Sequence, residues 1–239
     1  LPATSTHQRL SPTSYCLLPI IMTVLTEPDE VVASPECPAR KNPVPAWVPA
    51  SVQRWGSRLV VDEWEKGHQY RKKNGWRGQD FIHDRQAPVH ITDYYVNYGE
   101  ADDASGLASG GPGTELTGIV VFTERAESHS GFCHGGSMTA VMDDVIGWTG
   151  FCATGRLVCW SGFTVQVNTS LQRPIAVNST MLVQGRIVKI ERRKVFIEAV
   201  LLDPANDDAV HAKAEGIVVL NHGVLPLPHQ ESTDSVASF

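Results

Sequence analysis

The stretch FCHGGSMTAVMDDVIGWTG, Phe132 to Gly150, sets a histidine and two glycines ahead of a helix-like run with two adjacent acids, Asp143 and Asp144, in its middle. Both parts can carry chemistry. The first N–H groups of a helix have no internal acceptors and hold about half a positive charge, so they can grip an anion or a developing oxyanion. Gly135 and Gly136 leave a ligand room to reach those groups, and His134 stands at the cap position. A carboxylate further along offers a general base or a nucleophile.

Projected at about 100° per residue, Met138, Val141, Met142, Val145 and Thr149 share one stripe suited to packing on a sheet. Gly136, Thr139, Ala140, Asp143, Gly147 and Gly150 share another face, made of small residues with one acid at its centre. Glycines on a solvated helix face cost about 1 kcal/mol each relative to alanine. A partner backbone or a narrow ligand is therefore expected against that face. Asp144 falls on the flank with Ser137 and Trp148, where a surface ion pair is expected.

Distance constrains what this helix can do. Gly135 and Asp143 are eight positions apart, about 12 Å along a straight axis. Attack on a carbonyl needs base and oxyanion donors within roughly 3 Å of the reacting atoms. One helix cannot supply both to one substrate. If both groups act, the donors come from one subunit and the carboxylate from a second, with the helices antiparallel across a two-fold axis.

The surrounding pattern says what positions the helix. VHITDYYVNYG and TELTGIVVF read as strands before it, separated by the acidic, glycine-rich loop Glu100 to Gly113. After it come four strand-like runs rich in Val, Ile, Thr and Phe, with a hairpin turn at Glu191 to Arg193 and a loop at DPANDD. A sheet that buries one face needs a cover, and this helix is the candidate. The expected class is α+β, an antiparallel sheet of about six strands around one long central helix. Ahead of it, SRLVVDEWEKGHQYRKKNG gives a modest helical signal. The expected organisation is a Pro-rich leader or arm over 1–50, a helical extension over 51–86, the main domain over 87–222 and an unstructured tail over 223–239.

Composition sets bounds on function. A 42% apolar content supports a core, and 20 basic against 26 acidic residues, a formal charge of -6, give no overall footprint for nucleic acid. Any anion must be met locally, and the clearest local cluster is Arg192, Arg193 and Lys194 at the hairpin tip together with Arg173. Five cysteines without C-x-x-C spacing argue against a disulfide framework and a structural zinc site, and for a reducing compartment. No run reaches the ~18 apolar residues of a membrane span. The stretch CLLPIIMTVL lies in a Ser/Thr-containing leader without acids before Glu27, which fits either a disordered leader or an organellar transit segment, hence a cytoplasmic or mitochondrial location.

The quoted helix resembles the G-x-x-H-G-G helix of the hot-dog-fold acyl-CoA thioesterases, particularly the phenylacetate-degradation type and the mammalian thioesterase superfamily members four and five. FTVQVNTSLQRP is similar to the strand that follows in that family, with a threonine ten residues before the proline, and ERRKVFIEAVL to its next hairpin. The resemblance spans about Val89 to Leu220. It implies a hot-dog fold and a thioester hydrolase without cofactor or metal, acting on acyl-CoA as a homodimer or dimer of dimers. It implies that Gly135 supplies the oxyanion amide with His134 beside it, that Asp143 activates water or attacks directly, and that Thr164 assists. Gly136, Ser128, Arg173, Arg192, Arg193 and Lys194 are then the expected substrate contacts, with Ser128 standing where some bacterial relatives carry asparagine. The alternative is a non-catalytic acyl-CoA-binding or scaffold protein of the same fold.

Overall fold

The computed structural model describes residues 55–100 and 110–225; the leader, residues 101–109 of the acidic loop and the tail from 226 lie outside the described residues. Strands β1 (Ser57–Arg58), β2 (Val89–Asn97), β3 (Glu115–Phe122), β6 (Gly162–Leu171), β7 (Ser179–Glu191), β8 (Lys194–Asp203) and β9 (Ala209–Leu220) form one antiparallel sheet in the order β1-β2-β3-β7-β8-β9-β6. Helices α1 (Asp62–Glu65) and α2 (Gly67–Lys73) lie between β1 and β2, and a small hairpin, β4 (Glu127–His129) with β5 (Phe132–Cys133), leads into α3 (Gly135–Phe151). The sheet wraps α3, which packs on β2, β3 and β6 to β9. This is the hot-dog arrangement, with a two-residue edge strand beyond the six main ones.

Alternation makes the wrapping possible. In β8, Val195, Ile197, Ala199 and Leu201 are buried while the residues between them are more open, and β9 follows the same period with Ala212, Ala214, Gly216 and Val218. Their inward side chains meet Val141, Met142, Val145 and Ile146 of α3, all without solvent exposure, in one core cluster. Segment 55–86 shares that cluster through Leu59, Val61, Trp64 and Ile82. None of the described helices is long and apolar enough to cross a membrane.

Burial along α3 is uneven. Its first half is one-sided, with Gly136 and Thr139 exposed and Met138 buried, whereas Val145 through Phe151 are buried without a break. The small-residue face is thus covered over part of its length by the chain itself. A β-carbon added at Gly147 would come 3.2 Å from Thr164 Oγ1, and one at Gly150 would lie 2.8 to 2.9 Å from three side-chain atoms of Val218. For these two glycines the close neighbours are side chains of β6 and β9 of the same chain, where a partner backbone or a narrow ligand was expected. The other half of that face, Gly136, Thr139, Ala140 and Asp143, keeps its opening.

The approach at Gly150 is a packing requirement that can be tested. Alanine brings about 1 kcal/mol of helix preference, against about 1–3 kcal/mol for overpacking a stiff, β-branched neighbour. Gly150→Ala is expected to destabilise the protein by up to about 2 kcal/mol net in urea unfolding. A variant more stable than the parent by the full ~1 kcal/mol of helix preference would show that α3 and β9 are not held at this separation.

Candidate active site

The tip of α3 is built by the hairpin before it. His134 N–H donates to the Ala126 carbonyl at 2.7 Å and Cys133 N–H to that of Ile175 at 2.9 Å, which fixes the direction in which the chain enters the helix. His134 is the N-cap, with extended backbone (φ -66, ψ 134), and its Nδ1 accepts the Gly136 N–H at 2.8 Å. An accepting Nδ1 puts the neutral ring's proton on Nε2. The resemblance sets His134 beside the oxyanion amide; in the structure its ring contacts the helix's own backbone. A β-carbon at Gly136 would stand 2.8 Å from that Nδ1, so the second glycine is needed for the cap.

With Gly136 N–H occupied and Ser137 N–H given to the His134 carbonyl at 2.9 Å, the Gly135 N–H is left without an acceptor among the described residues. It is the one backbone donor the tip holds out among the described residues. Leu171 of β6 reaches over it, its Cδ1 2.7 Å from where a Gly135 β-carbon would be. Ser128 is exposed on β4 at this same end of α3.

Asp143 lies further along α3 on the open half of the small face. Partial burial pushes its carboxyl above the usual aspartate range, the Thr164 hydroxyl hydrogen-bonding to it pulls the other way, and the charge of Asp144 adds to the rise. Its carboxylate still reaches solvent in the single chain, so desolvation is incomplete. Thr164 takes its place from β6, where it sits over Gly147, one turn beyond Asp143. The sheet register slips between Thr164 and Gln166, a bulge of the kind that re-aims a side chain at a strand edge.

Asp144 does not make the surface ion pair expected of it. Its carboxylate accepts from Tyr94 Oη at 2.9 Å and from His83 Nε2 at 3.1 and 3.3 Å, with side-chain exposures of 16% for Asp144 and 3% for His83. Burial first, and then the Asp144 charge, hold the Tyr94 hydroxyl well above its ordinary pKa, so it stays a donor. His83 stacks on Trp64 at 3.9 Å, and Trp64 meets Trp148 edge-on at 4.4 Å. The reason lies in the segment ahead of the main sheet, which closes over this flank of α3. Sequence reading missed His83 and Tyr94 because they join Asp144 across 61 and 50 positions. The available signal was Trp148, one turn from Asp144, since a flank carrying tryptophan is more often covered than solvated.

The basic residues do not form one cluster. Gly162 pairs with Leu220 and Leu171 with Ala212, while Leu220 N–H binds the Arg193 carbonyl and Arg173 N–H that of His211. The hairpin tip Arg192 to Lys194 and Arg173 therefore stand at opposite ends of β6, roughly 30 Å apart at about 3.3 Å per residue. Arg173 belongs to the end with the tip of α3, and the hairpin to the end with its C-terminus. Arg193 also donates from Nη1 to the Leu220 carbonyl at 2.9 Å, leaving Arg192 and Lys194 as the exposed cations of the turn. A groove of about 550 Å³ lined by Glu115, Arg186, Glu198, Lys213 and Glu215 uses the strand positions that alternate with those facing α3, so it lies on the outer face of the sheet and not at Asp143.

The raised pKa of Asp143 has a consequence for stability. In the unfolded chain the carboxyl ionises near the ordinary value of about 3.9; in the folded chain it ionises at higher pH. Folding therefore loses stability as pH rises between the two values, and the penalty persists above both. Asp143→Asn is expected to melt at a higher temperature than the parent at neutral pH, with the difference closing as pH falls below about 4. Equal melting curves at pH 7 would contradict the assigned environment.

No family model matches the chain. Over 91 residues it is 31% identical to the human acyl-coenzyme A thioesterase THEM5 and 30% identical to the mouse protein of that name. Each match covers 38% of this chain and 34% of the relative, so the chain spans about a third of the length of the curated relatives it matches. Among solved structures, the crystal structure of zebra fish thioesterase superfamily member 2 aligns with a TM-score of 0.44 at 17% identity, covering 64% of this chain and 93% of that one. Over those 91 residues the chain is similar to acyl-coenzyme A thioesterases, and its sheet wrapped around one long helix is the hot-dog fold.

Proposed function

We propose that two copies of this chain form a hydrolase for acyl-coenzyme A thioesters, with the carbonyl held by the Gly135 N–H of one protomer and attacked with the help of Asp143 from the other. The observation that carries the reading is the uncovered half of α3. It bears one orphan donor and one carboxylate of raised pKa, too far apart along the axis, at about 12 Å, to serve one carbonyl from a single helix. An antiparallel second helix brings each donor to the other's acid.

The edge of the sheet supports such a pairing. Strand β6 is hydrogen-bonded only to β9 among the described residues and carries Phe163, Val165 and Leu171 at 72%, 59% and 48% exposure. An open strand edge with large apolar side chains is a template for association. It carries Thr164, and its Leu171 stands beside Gly135. The same two-fold operation places the partner's hairpin, with its copies of the exposed cations, at the end where Arg173 and the tip of α3 stand. The basic groups separated within one chain then flank one entrance, suited to the phosphates of coenzyme A.

In the reaction, water adds to the thioester carbon as its proton passes to Asp143, and negative charge gathers on the carbonyl oxygen at the Gly135 N–H. The C–S bond then breaks, and the thiolate leaves and takes up a proton. Desolvation makes Asp143 more basic, which favours proton abstraction over direct attack to form a mixed anhydride, and the Thr164 hydroxyl orients the carboxylate. Ser128 and Gly136 line the approach to the tip.

Two variants isolate the two halves. Proline is accepted at the first helical position and needs an extended residue before it, which His134 already is, so Gly135→Pro deletes the donor and keeps the helix, displacing only the exposed end of Leu171. Loss of one oxyanion donor is expected to lower kcat by about 10²- to 10³-fold in a thiol-release assay. Asp143→Asn is expected to remove nearly all turnover. Co-expressed in equal amounts, the two variants should recover about a quarter of wild-type activity, because half the dimers are mixed and each has one intact site. Mixed dimers without recovery, or a fully active monomer, would refute the shared site. Arg173→Ala and Arg192→Ala are each expected to raise KM for acyl-CoA more than they lower kcat, the signature of lost ground-state binding.

A further inference from the structure

We infer that Asp144 is a positioning residue for the reaction, which sets both the aim and the basicity of Asp143 from the opposite side of the backbone. This rests on the reading of Asp143 as the acid of the site. Successive residues of a helix point about 100° apart, so the two carboxylates diverge, one to the open small face and one into the covered flank. The second is held there by Tyr94 from β2, at 2.9 Å, and by His83 from the segment before β2, at 3.1 Å. A carboxylate only accepts, so the bond requires a proton on His83 Nε2. Two donors from outside α3 thus hold one of its side chains, and with it the rotation of the helix about its axis. Asp143 follows rigidly.

The second effect is electrostatic. Asp144 neighbours Asp143 in a partly desolvated region, and after burial its charge is a further cause that raises Asp143, since like charge opposes ionisation more strongly there than in water. The groups facing the pair are few. Thr164 comes from β6, Tyr94 from β2, and His83, stacked on Trp64, from the segment ahead. The remaining strands meet α3 through Leu116 and Val120 of β3, Gly185 of β7, Ile197 of β8, and Gly216 and Val218 of β9 in the shared core or at direct approach. Among the described groups the basic side chain facing the pair is His83, on Asp144, and no ion pair reaches Asp143. The consequence is an acid that takes up a proton more readily than it would alone, which suits a base. The bonds from Tyr94 and His83 satisfy the Asp144 carboxylate in a covered place where an unbonded one would be costly.

The test is the titration of the Asp143 side-chain carboxyl, followed by carbon NMR in the full chain and assigned through Asp143→Asn. Asp144→Asn keeps the shape and an acceptor for Tyr94 while removing the charge. It is expected to move the Asp143 titration to lower pH, and with it the acid limb of kcat/KM against acyl-CoA. Asp144→Glu, which restores the charge, is expected to return the limb toward its original position even if the plateau stays low. A purely structural Asp144 would lower the plateau and leave both titration and limb in place, which would overturn the inference. If the asparagine variant does not fold, Asp144→Ser, smaller and still able to accept from Tyr94, gives the same readout. A wild-type protein without thioesterase activity would sink the proposed function, and the NMR titration would still decide this inference.

Discussion

The pitch of one helix governs the whole arrangement. Its orphan donor and its acid are separated by about 12 Å of axis, and no side-chain flexibility closes that gap to the roughly 3 Å that carbonyl chemistry needs. Under the proposed reading the open end of α3 is intelligible from that mismatch. The proposed chemistry needs an open tip, and the helix begins with glycines and is capped by a histidine that takes the second N–H and leaves the first. The face between tip and acid must stay small and uncovered. Beyond the acid it need not, and there the sheet closes down on Gly147 and Gly150.

Such a helix is poorly equipped to hold itself in place. Half of one face is withheld from the core, and the cap supplies one neutral hydrogen bond where an acidic first turn would also favour the dipole. The sheet compensates by enclosing the C-terminal half on all sides, and the segment ahead of it clamps the flank through Trp64, His83 and Tyr94. The rigid end is thus the one remote from the tip.

How much of this could be read from the chain depended on whether the signal was local. Alternation in β8 and β9, the turn at Arg192 with its left-handed φ of 56, and the glycines and histidine at the cap are all patterns within a dozen residues, and each corresponds to an element where the sequence places it. The separate fates of Asp143 and Asp144 were legible only by angle. Projection put the first on the small face correctly, but it could not say that the second's flank would be covered, because the cover comes from His83 and Tyr94, more than 45 positions away. The basic cluster failed for the same reason in reverse. Arg173 and Arg192 look close in a list of residues, yet the strand order sends them to opposite ends of β6.

That failure bears on the site itself. A ligand carrying several phosphates and a reactive carbonyl at a distance needs charge at one end of its cleft and a donor and an acid further in. Within one chain the acid lies nearer the hairpin's cations and the donor nearer Arg173, so neither end is complete. Inverting a second copy against β6 makes both ends alike, and each then holds a tip, an acid and both kinds of cation. The open apolar edge at Phe163 and Val165 would by itself be a liability for a solitary protein. In the proposed dimer it is the surface that joins the two parts of the site, so the proposed two-fold operation would account for the exposed edge, the bare half of the helix and the divided charge.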